Sequence, residues 1–186
     1  MKIDENIELQ LLSLDHTEEL YDLVDSNRQH LRQWLPWLDA NTSPSDTEYF
    51  IKSVISQYES GKGPQYAMFY DAAMCGVCGF HQIDEANKIG SIGYWLSKAH
   101  SGKGIMTKSV MALIEIGFRD YGFNRIEIAC ATENSKSRAI PERLGFKLEG
   151  VFRERHKHYG KYVDLAIYSM LAAEFRLNKT FQRTKR

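Results

Sequence analysis

Residues 92–107 read Ile-Gly-Tyr-Trp-Leu-Ser-Lys-Ala-His-Ser-Gly-Lys-Gly-Ile-Met-Thr, and this stretch decides the fold. Its apolar first half, which ends at Ser97, predicts a strand, and a short polar turn follows. Gly102, Lys103 and Gly104 then lead directly into a run with the apolar spacing of a helix. The first amide groups of a helix have no partner within the helix and carry partial positive charge. This order of elements therefore favours a phosphate bound at the glycine loop.

The glycine loop matches neither of two common nucleotide motifs. It contains no G-x-x-x-x-G-K-[ST] run and no G-x-G-x-x-G followed by an acidic residue for the ribose. Lys103 would supply a cation to a phosphate and Thr107 a hydroxyl donor, whereas a side chain in place of a glycine would hold the ligand off the amides. A tight turn that simply needs two permissive glycines is the alternative interpretation.

Composition and charge exclude several classes of protein. The 186 residues are enough for one domain with a sizeable core, and Lys plus Arg balance Asp plus Glu at 24 each. This balance does not predict direct binding to nucleic acid. The sequence has no secretory leader and no run of roughly 18 apolar residues, so we expect no membrane association.

The three cysteines are an odd number, which argues against a disulfide framework and favours a reducing, cytoplasmic location. Cys75 and Cys78 have the C-x-x-C spacing of some metal and redox sites. They fall inside a predicted strand, where residues three apart face opposite sides, and no second pair follows. We therefore expect buried small residues there and no metal site.

The spacing of apolar residues predicts seven strands and several helices. The strands are predicted over 7–12, 65–71, 74–83, 89–97, 123–131, 146–158 and 161–172. Helices are predicted after Asp15, over 104–121, over 135–144, and after a capping box of Ser45 and Glu48, with Phe50, Ile51, Val54, Ile55 and Tyr58 facing inward. These elements predict a single domain, 1–186, with a core over about 7–172 and a polar, basic tail over 173–186.

The order of the elements predicts an α/β fold with a mixed sheet. The strand over 89–97, the helix over 104–121 and the strand over 123–131 should form a right-handed parallel crossover, and the other strand pairs should be antiparallel. Ligands of open sheets bind where neighbouring strands part, at their carboxyl ends. That edge falls near Ser97 and Ala131, beside the glycine loop.

A second segment, Asn134-Ser-Lys-Ser-Arg-Ala-Ile-Pro-Glu-Arg-Leu-Gly-Phe146, completes a pattern. Together with the glycine loop it resembles the GNAT N-acetyltransferase superfamily, and more closely its RimJ/RimL-like branch, which acetylates N-terminal amines of ribosomal proteins. The His-Leu-Arg-Gln-Trp-Leu-Pro-Trp stretch at 30–37 and the Leu-Gly-Phe-Lys-Leu-Glu-Gly stretch at 144–150 support the same resemblance. Ser101 departs from the family's usual Gln or Arg, and Met106 from its usual Gly or Ala.

The resemblance implies the GNAT fold, a seven-stranded, mostly antiparallel sheet flanked by helices and splayed at its central parallel pair. It also implies acetyl-CoA as the cofactor. The pyrophosphate should lie on the amides of the glycine loop, and the pantetheine arm should run along the free edge of the preceding strand, with an asparagine reaching the arm's amides. The implied residues are Tyr94, Trp95, Leu96, Gly102, Lys103, Gly104, Ile105, Met106, Thr107 and Asn134. A helix N-cap is the alternative role of Asn134, and one side chain could fill both roles.

The resemblance also implies candidates for proton transfer. Many GNAT enzymes carry a tyrosine as the acid where this chain has Pro141, and in the RimJ/RimL-like branch the candidate is a serine three residues after the asparagine, which is Ser137. A general base is expected from the last hairpin, where Glu154 and His156 share a face with His158 if the strand is regular. A solvated helix hydroxyl for Ser137 and a surface imidazole for His156 are the alternative interpretations.

The resemblance implies acetyl transfer to a primary amine, most directly the N-terminal α-amine of a protein, with Trp34 and Trp37 in the acceptor groove. Both tryptophans could instead fill the core. Acetylation of a small amine such as a polyamine or amino sugar is a second hypothesis, and a non-catalytic acyl-CoA sensor is a third. The sequence leaves the oligomeric state open, a homo-oligomer included.

Overall fold

Seven strands form one sheet, in the order β1-β2-β3-β4-β5-β7-β6. The structure is a computed structural model that describes residues 1–176. The strands are β1 Ile7–Leu11, β2 Gln65–Tyr70, β3 Ala73–Asp84, β4 Ile89–Leu96, β5 Arg125–Ala131, β6 Lys147–His158 and β7 Lys161–Leu171. Only β4 and β5 run parallel, and every other neighbouring pair is antiparallel. The predicted mixed, mostly antiparallel sheet is confirmed.

Helices cover both faces of the sheet. They are α1 Thr17–Ser26, α2 Arg28–Leu31, α3 Pro44–Glu59, α4 Ile105–Arg119 and α5 Ser135–Leu144. Short 3-10 helices lie at Leu14–His16, Pro36–Ala40 and Lys98–His100. No helix in the described part of the chain is long and apolar enough to cross a membrane.

The core has two layers because successive residues of a strand face opposite sides of the sheet. On β2, Ala67 and Phe69 pack with the buried residues of α1 and α3, whereas Met68 packs with those of α4. Val54 of α3 and Leu113 of α4 are both almost inaccessible to solvent. Each face of the sheet is therefore closed by its own apolar cluster.

The sheet opens between β4 and β5. These strands pair only over Ile89, Gly90 and Ser91, although β4 continues to Leu96 and β5 continues to Ala131. From Ile92 to Leu96, the backbone N–H and C=O groups on the β5 side of β4 therefore have no neighbouring strand to bind. The predicted splay at the central parallel pair is confirmed, and it lies next to the start of α4.

Helix α3 begins earlier than the sequence pattern indicates. Its N-cap is Ser43, Pro44 occupies the first turn, and the capping box pairs Ser43 with Asp46. The predicted box of Ser45 and Glu48 is therefore wrong, because proline is well suited to the first helical position and moves the cap to the residue before it. Of the residues predicted to face inward, Phe50 is exposed, and so is Tyr58.

The two C-x-x-C cysteines lie on one side of the sheet, contrary to the sequence expectation. The register between β2 and β3 shifts at Met68, so that Cys75 is an additional residue on β3. This bulge places Cys75 in the same core cluster as Cys78. Both thiols are buried and free, and burial raises the pKa of each.

The packed part of the chain extends beyond residue 172, where the predicted core ended. Residues 172–176 are helical, and the ring of Phe175 lies 5.1 Å from that of Phe118 on α4. Glu174 forms an ion pair with Lys147. The predicted polar tail thus begins with a packed turn, and residues 177–186 lie outside the described residues.

Candidate active site

The glycine loop presents free amide groups to the space in front of α4. Gly102 and Gly104 have φ angles of +83° and +77°, a left-handed conformation that favours glycine. A Cβ at either position would meet no atom within 4 Å, so a side chain there would project into open space. The N–H groups of Ile105, Met106 and Thr107 donate to no other residue of 1–176. The loop thus has the form and polarity of an anion cradle.

Two basic side chains lie at the cradle. The Lys103 ammonium lies 4.8 Å from the centre of the Tyr70 ring, and Arg143 of α5 donates a 3.0 Å hydrogen bond to the Thr107 hydroxyl. Lys103 and Thr107 were expected here from the sequence, whereas Arg143 was not. Its position inside the second motif is the only sequence signal, because the contact depends on how α5 packs against α4.

The free edge of β4 leads from the cradle to the opening of the sheet. Tyr94, Trp95 and Leu96 pair with β3 on one side and with no strand on the other. Asn134 caps α5, since its Oδ1 accepts a 3.1 Å hydrogen bond from the Ser137 amide. The capping role is therefore confirmed, and the Asn134 amide nitrogen donates to no other described residue.

Three side chains meet where β4 and β5 part. The Tyr94 hydroxyl donates to the Ser137 carbonyl at 2.9 Å, and the Ser137 hydroxyl lies 3.2 Å from Cys130 Sγ and 3.4 Å from the Tyr94 oxygen. Burial raises the pKa of Tyr94 well above its usual range, and burial also raises the pKa of Cys130. Ser137 is half-buried in this cluster, so it is not the solvated helix hydroxyl that was the alternative interpretation.

The last hairpin is less regular than expected. The register of β6 against β7 shifts between Phe152 and His156, and Glu154 has a φ angle of +51° in the bulge. The prediction that Glu154, His156 and His158 share one face required a regular strand, and the strand is not regular. A bulge changes the direction of the side chains on either side of it, so the prediction is wrong for Glu154. The His156 and His158 rings remain neighbours at 6.5 Å, and Glu154 is exposed.

A cavity of about 520 Å³ lies between the sheet and the helices α1 and α3. Most of its wall is apolar or aromatic, with contributions from Leu20, Val24, Trp37, Ala40, Asn41, Asp46, Thr47, Tyr49, Phe50, Gln65, Val77, Gly79, His81, Gly93, Tyr94 and Trp95. Because Tyr94 and Trp95 also belong to the free edge of β4, the cavity and the opening of the sheet meet at the same strand.

The two tryptophans predicted to bind the acceptor have different surroundings. Trp37 is 41% exposed and lines the cavity, with its ring 6.5 Å from that of Trp95. Trp34 is half-buried and does not line the cavity. Neither side chain belongs to the buried core, and only Trp37 has the position of a groove residue.

The tip of the last hairpin contacts the segment that contains these two tryptophans. The Tyr159 hydroxyl lies 3.4 Å from the Leu35 carbonyl and 3.5 Å from Asp39 Oδ1, and the Arg32 guanidinium lies 4.2 Å from the centre of the Tyr159 ring. Asp39 also accepts two hydrogen bonds from Arg32, at 2.8 and 2.9 Å. The carboxylate of Asp39 is thus already neutralised and is a poor partner for a substrate ammonium.

The chain matches known acetyltransferases in sequence. Residues 6–147 match the family model described as an acetyltransferase (GNAT) domain. YdaF of Bacillus subtilis, which is named as a ribosomal N-acetyltransferase, is 38% identical over 176 residues, or 94% of this chain and 96% of YdaF. The ribosomal-protein-serine acetyltransferase of Escherichia coli is 29% identical over 92% of this chain and 96% of its own length.

Solved structures agree with the fold and with the cofactor. RimL, a ribosomal-protein α-N-acetyltransferase in complex with coenzyme A, superposes with a TM-score of 0.89 at 31% identity, over 93% of this chain and 98% of RimL. The microcin self-immunity acetyltransferase MccE in complex with acetyl-CoA and AMP gives 0.87 at 32% identity, over 92% of this chain and 95% of MccE. The open cradle and the unpaired edge of β4 fit such a cofactor. The chain therefore belongs to the GNAT acetyltransferase family and is an acetyl-CoA-dependent N-acetyltransferase.

Proposed function

We propose that this enzyme acetylates the N-terminal α-amine of a protein, with a ribosomal protein as the candidate acceptor. The observation that carries the proposal is the aromatic cavity of about 520 Å³ that opens beside β4. Aromatic walls suit a peptide terminus because they provide a large contact area at a low cost in conformational entropy. The names of YdaF and of the Escherichia coli relative, which refer to ribosomal proteins, support the same acceptor class.

The charge of the cavity favours a peptide over a polyamine. Among the described residues that line it, Asp46 is the single acidic one. Its carboxylate accepts hydrogen bonds from the backbone and side chain of Thr42 and of Ser43, which together lower its pKa. A polycationic acceptor needs several free carboxylates to offset the loss of its hydration. A peptide terminus brings only one ammonium, which must in any case lose its charge before it reacts.

The residues at the opening of the sheet would hold acetyl-CoA. The amides of residues 102–107 would hold the pyrophosphate, with Lys103 and Arg143 beside it. The edge of β4 at Tyr94, Trp95 and Leu96 would bind the pantetheine arm, and the Asn134 amide nitrogen would reach the same arm. When bound, the cofactor supplies an activated acetyl thioester.

The enzyme would act by bringing the amine and the thioester together in a ternary complex, since proximity is a large part of the catalysis available to a two-substrate transfer. Unpaired N–H groups of β4 would stabilise negative charge on the acetyl oxygen. Ser137, held by Tyr94 and Cys130, would donate a proton to the leaving sulfur. The family resemblance suggests Glu154 and His156 as bases, but neither residue lines the cavity through which the amine would enter.

An assay of CoA release with three acceptors tests this function. The first is a peptide with a free α-amine, the second is the same peptide with a blocked α-amine and an internal lysine, and the third is spermidine. We expect release with the first peptide only. Release with spermidine alone would support a small-amine acetyltransferase, and binding of acetyl-CoA without release to any acceptor would support a sensor.

A further inference from the structure

His81 enters the cavity through an irregularity in β3. Phe80 pairs with Ile92 and Gln82 pairs with Ser91, so His81 is an additional residue that has no partner on β4. Bulges of this kind commonly re-aim a side chain beside an active site. Here the bulge places the His81 side chain in the wall of the acceptor cavity.

The His81 ring lies against the backbone of β4 where that strand becomes unpaired. A Cβ built at Gly93 would lie 2.9 Å from His81 Nδ1, so glycine leaves the room that the ring occupies. Gly93 comes two residues after Ser91, the last residue of β4 that pairs with β5. The imidazole is thus at the point where the cavity and the opening of the sheet adjoin.

Both ring nitrogens of His81 are available. Neither forms a hydrogen bond with any residue of 1–176, and the ring is accessible from the cavity. The residue is exposed to solvent, and partial desolvation of its ring by the surrounding protein atoms lowers its pKa. A lowered pKa favours the neutral imidazole, which is the form that can accept a proton.

The surroundings contain few other titratable groups. Helix α3 contributes Asp46 and Tyr49, β4 contributes Tyr94, and α1 contributes only apolar side chains. Asp46 is bound at the start of α3, and the Tyr94 hydroxyl points to Ser137 on the other side of the sheet. Among the described lining residues, His81 is the group best suited to take a proton near neutral pH.

We propose that His81 is the catalytic base, and that its ring accepts the proton that leaves the acceptor nitrogen. The inference rests on the proposed function, because it requires the amine to enter through this cavity. In the transfer, the acceptor nitrogen bonds to the acetyl carbon and the carbon–sulfur bond breaks. The nitrogen loses one proton to His81. The thiolate sulfur gains one proton, either from water or from Ser137, whose hydroxyl then recovers a proton from solvent. His81 then returns its proton to solvent.

The pH dependence distinguishes His81 from His156, the other candidate. At low pH both the acceptor ammonium and the base must lose a proton, so kcat/KM of the wild type should rise with a steeper slope below the pKa of the base. His81→Gln should lose on the order of 10²-fold or more in kcat/KM and should lose this steeper limb. His156→Gln should keep this steeper limb. The matched control His16→Gln should keep it too, because His16 lies in the 3-10 helix Leu14–His16, with its ring beside Gln10 and outside the cavity.

Two readouts do not depend on turnover. His81→Gln should bind acetyl-CoA with unchanged affinity, and in the wild-type protein the NMR titration of the His81 ring should shift when a peptide with a free α-amine binds. Three results would each overturn the role of His81. The first is a folded His81→Gln protein with near wild-type rates, and the second is loss of the steeper pH dependence in His156→Gln instead. The third is an NMR titration of the His81 ring that does not change when the peptide binds. A wild-type enzyme that acetylates no α-amine would contradict the proposed function itself.

Discussion

The orientation of the Ser137 hydroxyl depends on the side chains that surround it. The hydroxyl lies within 3.2 Å of Cys130 Sγ and 3.4 Å of the Tyr94 oxygen, so β4, β5 and α5 together fix its direction. We expect Ser137→Ala to lower kcat with little change in the KM for acetyl-CoA, because the proton is needed in the transition state rather than for binding. Ser135→Ala, an exposed serine of the same helix, is the control. Steady-state kinetics that show equal rates for both variants would remove Ser137 from the chemistry.

The hydrogen-bonded carboxylate of Glu149 should make the free energy of unfolding depend on pH in the acidic range. Arg125 and Ser169 hydrogen-bond its carboxylate and lower its pKa from 4.5 to about 2. Folding therefore favours the charged form, so the stabilisation is fully present above the unfolded pKa and is lost as the pH falls towards the folded one. Because the side chain is 46% exposed, the effect should be at most about 1 kcal/mol.

The measurement for Glu149 is the free energy of unfolding as a function of pH. Glu149→Gln should be less stable than the wild type near neutral pH, and the two proteins should converge as the pH falls from 4.5 towards 2. A constant difference between them over this range would show that Glu149 acts through packing and not through its charge.

Among the secondary-structure elements, the start of α4 is the proposed binding site for the cofactor. Gly104→Val should abolish binding of acetyl-CoA because its side chain would occupy the open space before the free amides. The variant also places a side chain at a positive φ angle, which costs on the order of 1–2 kcal/mol. Gly122→Val, just past the end of the same helix, has the same backbone strain and the same open surroundings.

Titration calorimetry with acetyl-CoA, beside thermal melts, compares these two glycine variants. Both should melt at lower temperature than the wild type, and only Gly104→Val should lose affinity. A folded Gly104→Val protein that binds acetyl-CoA normally would contradict the position of the pyrophosphate.

The sequence predicted the elements well and their irregularities poorly. Alternation and helical spacing located all seven strands and the glycine loop, because these patterns are local. The bulges at Cys75, His81 and Glu154 follow from the register between strands, which no single segment encodes. Those bulges decide which side chains face the cavity, so His81, the base proposed above, could not be found from the sequence.

In the molecule as a whole, packing between distant segments forms the cavity in which we propose that the acceptor binds. Its wall combines the 3-10 helix with Trp37, the helices α1 and α3, and the strands β2 to β4. The sequence predicted aromatic residues at 34 and 37 for this groove, but it could not tell which one faces it. The contact between Arg143 and Thr107 escaped prediction for the same reason.

Trp34 and Trp37 have different surroundings, so we expect their substitution to affect the KM for the acceptor differently. Trp37→Ala should raise the KM for a peptide acceptor, with little change in melting temperature or in acetyl-CoA binding, because the ring is exposed in the cavity. Trp34→Ala should leave that KM unchanged, because the ring does not line the cavity. Kinetics and thermal melts of both variants check this. An unfolded Trp37→Ala protein would show that the ring acts as a core residue.

The most direct test is a crystal structure with a bisubstrate analogue, in which an acetyl linker joins the sulfur of CoA to the N-terminal nitrogen of a short peptide. The proposed arrangement places the pyrophosphate on the amides of residues 102–107 and the pantetheine arm along β4 at Tyr94 to Leu96. It places the peptide in the cavity between Trp37 and Trp95, with its nitrogen beside His81. An analogue whose peptide enters from the opposite face of the sheet, with the cavity left unused, would contradict it.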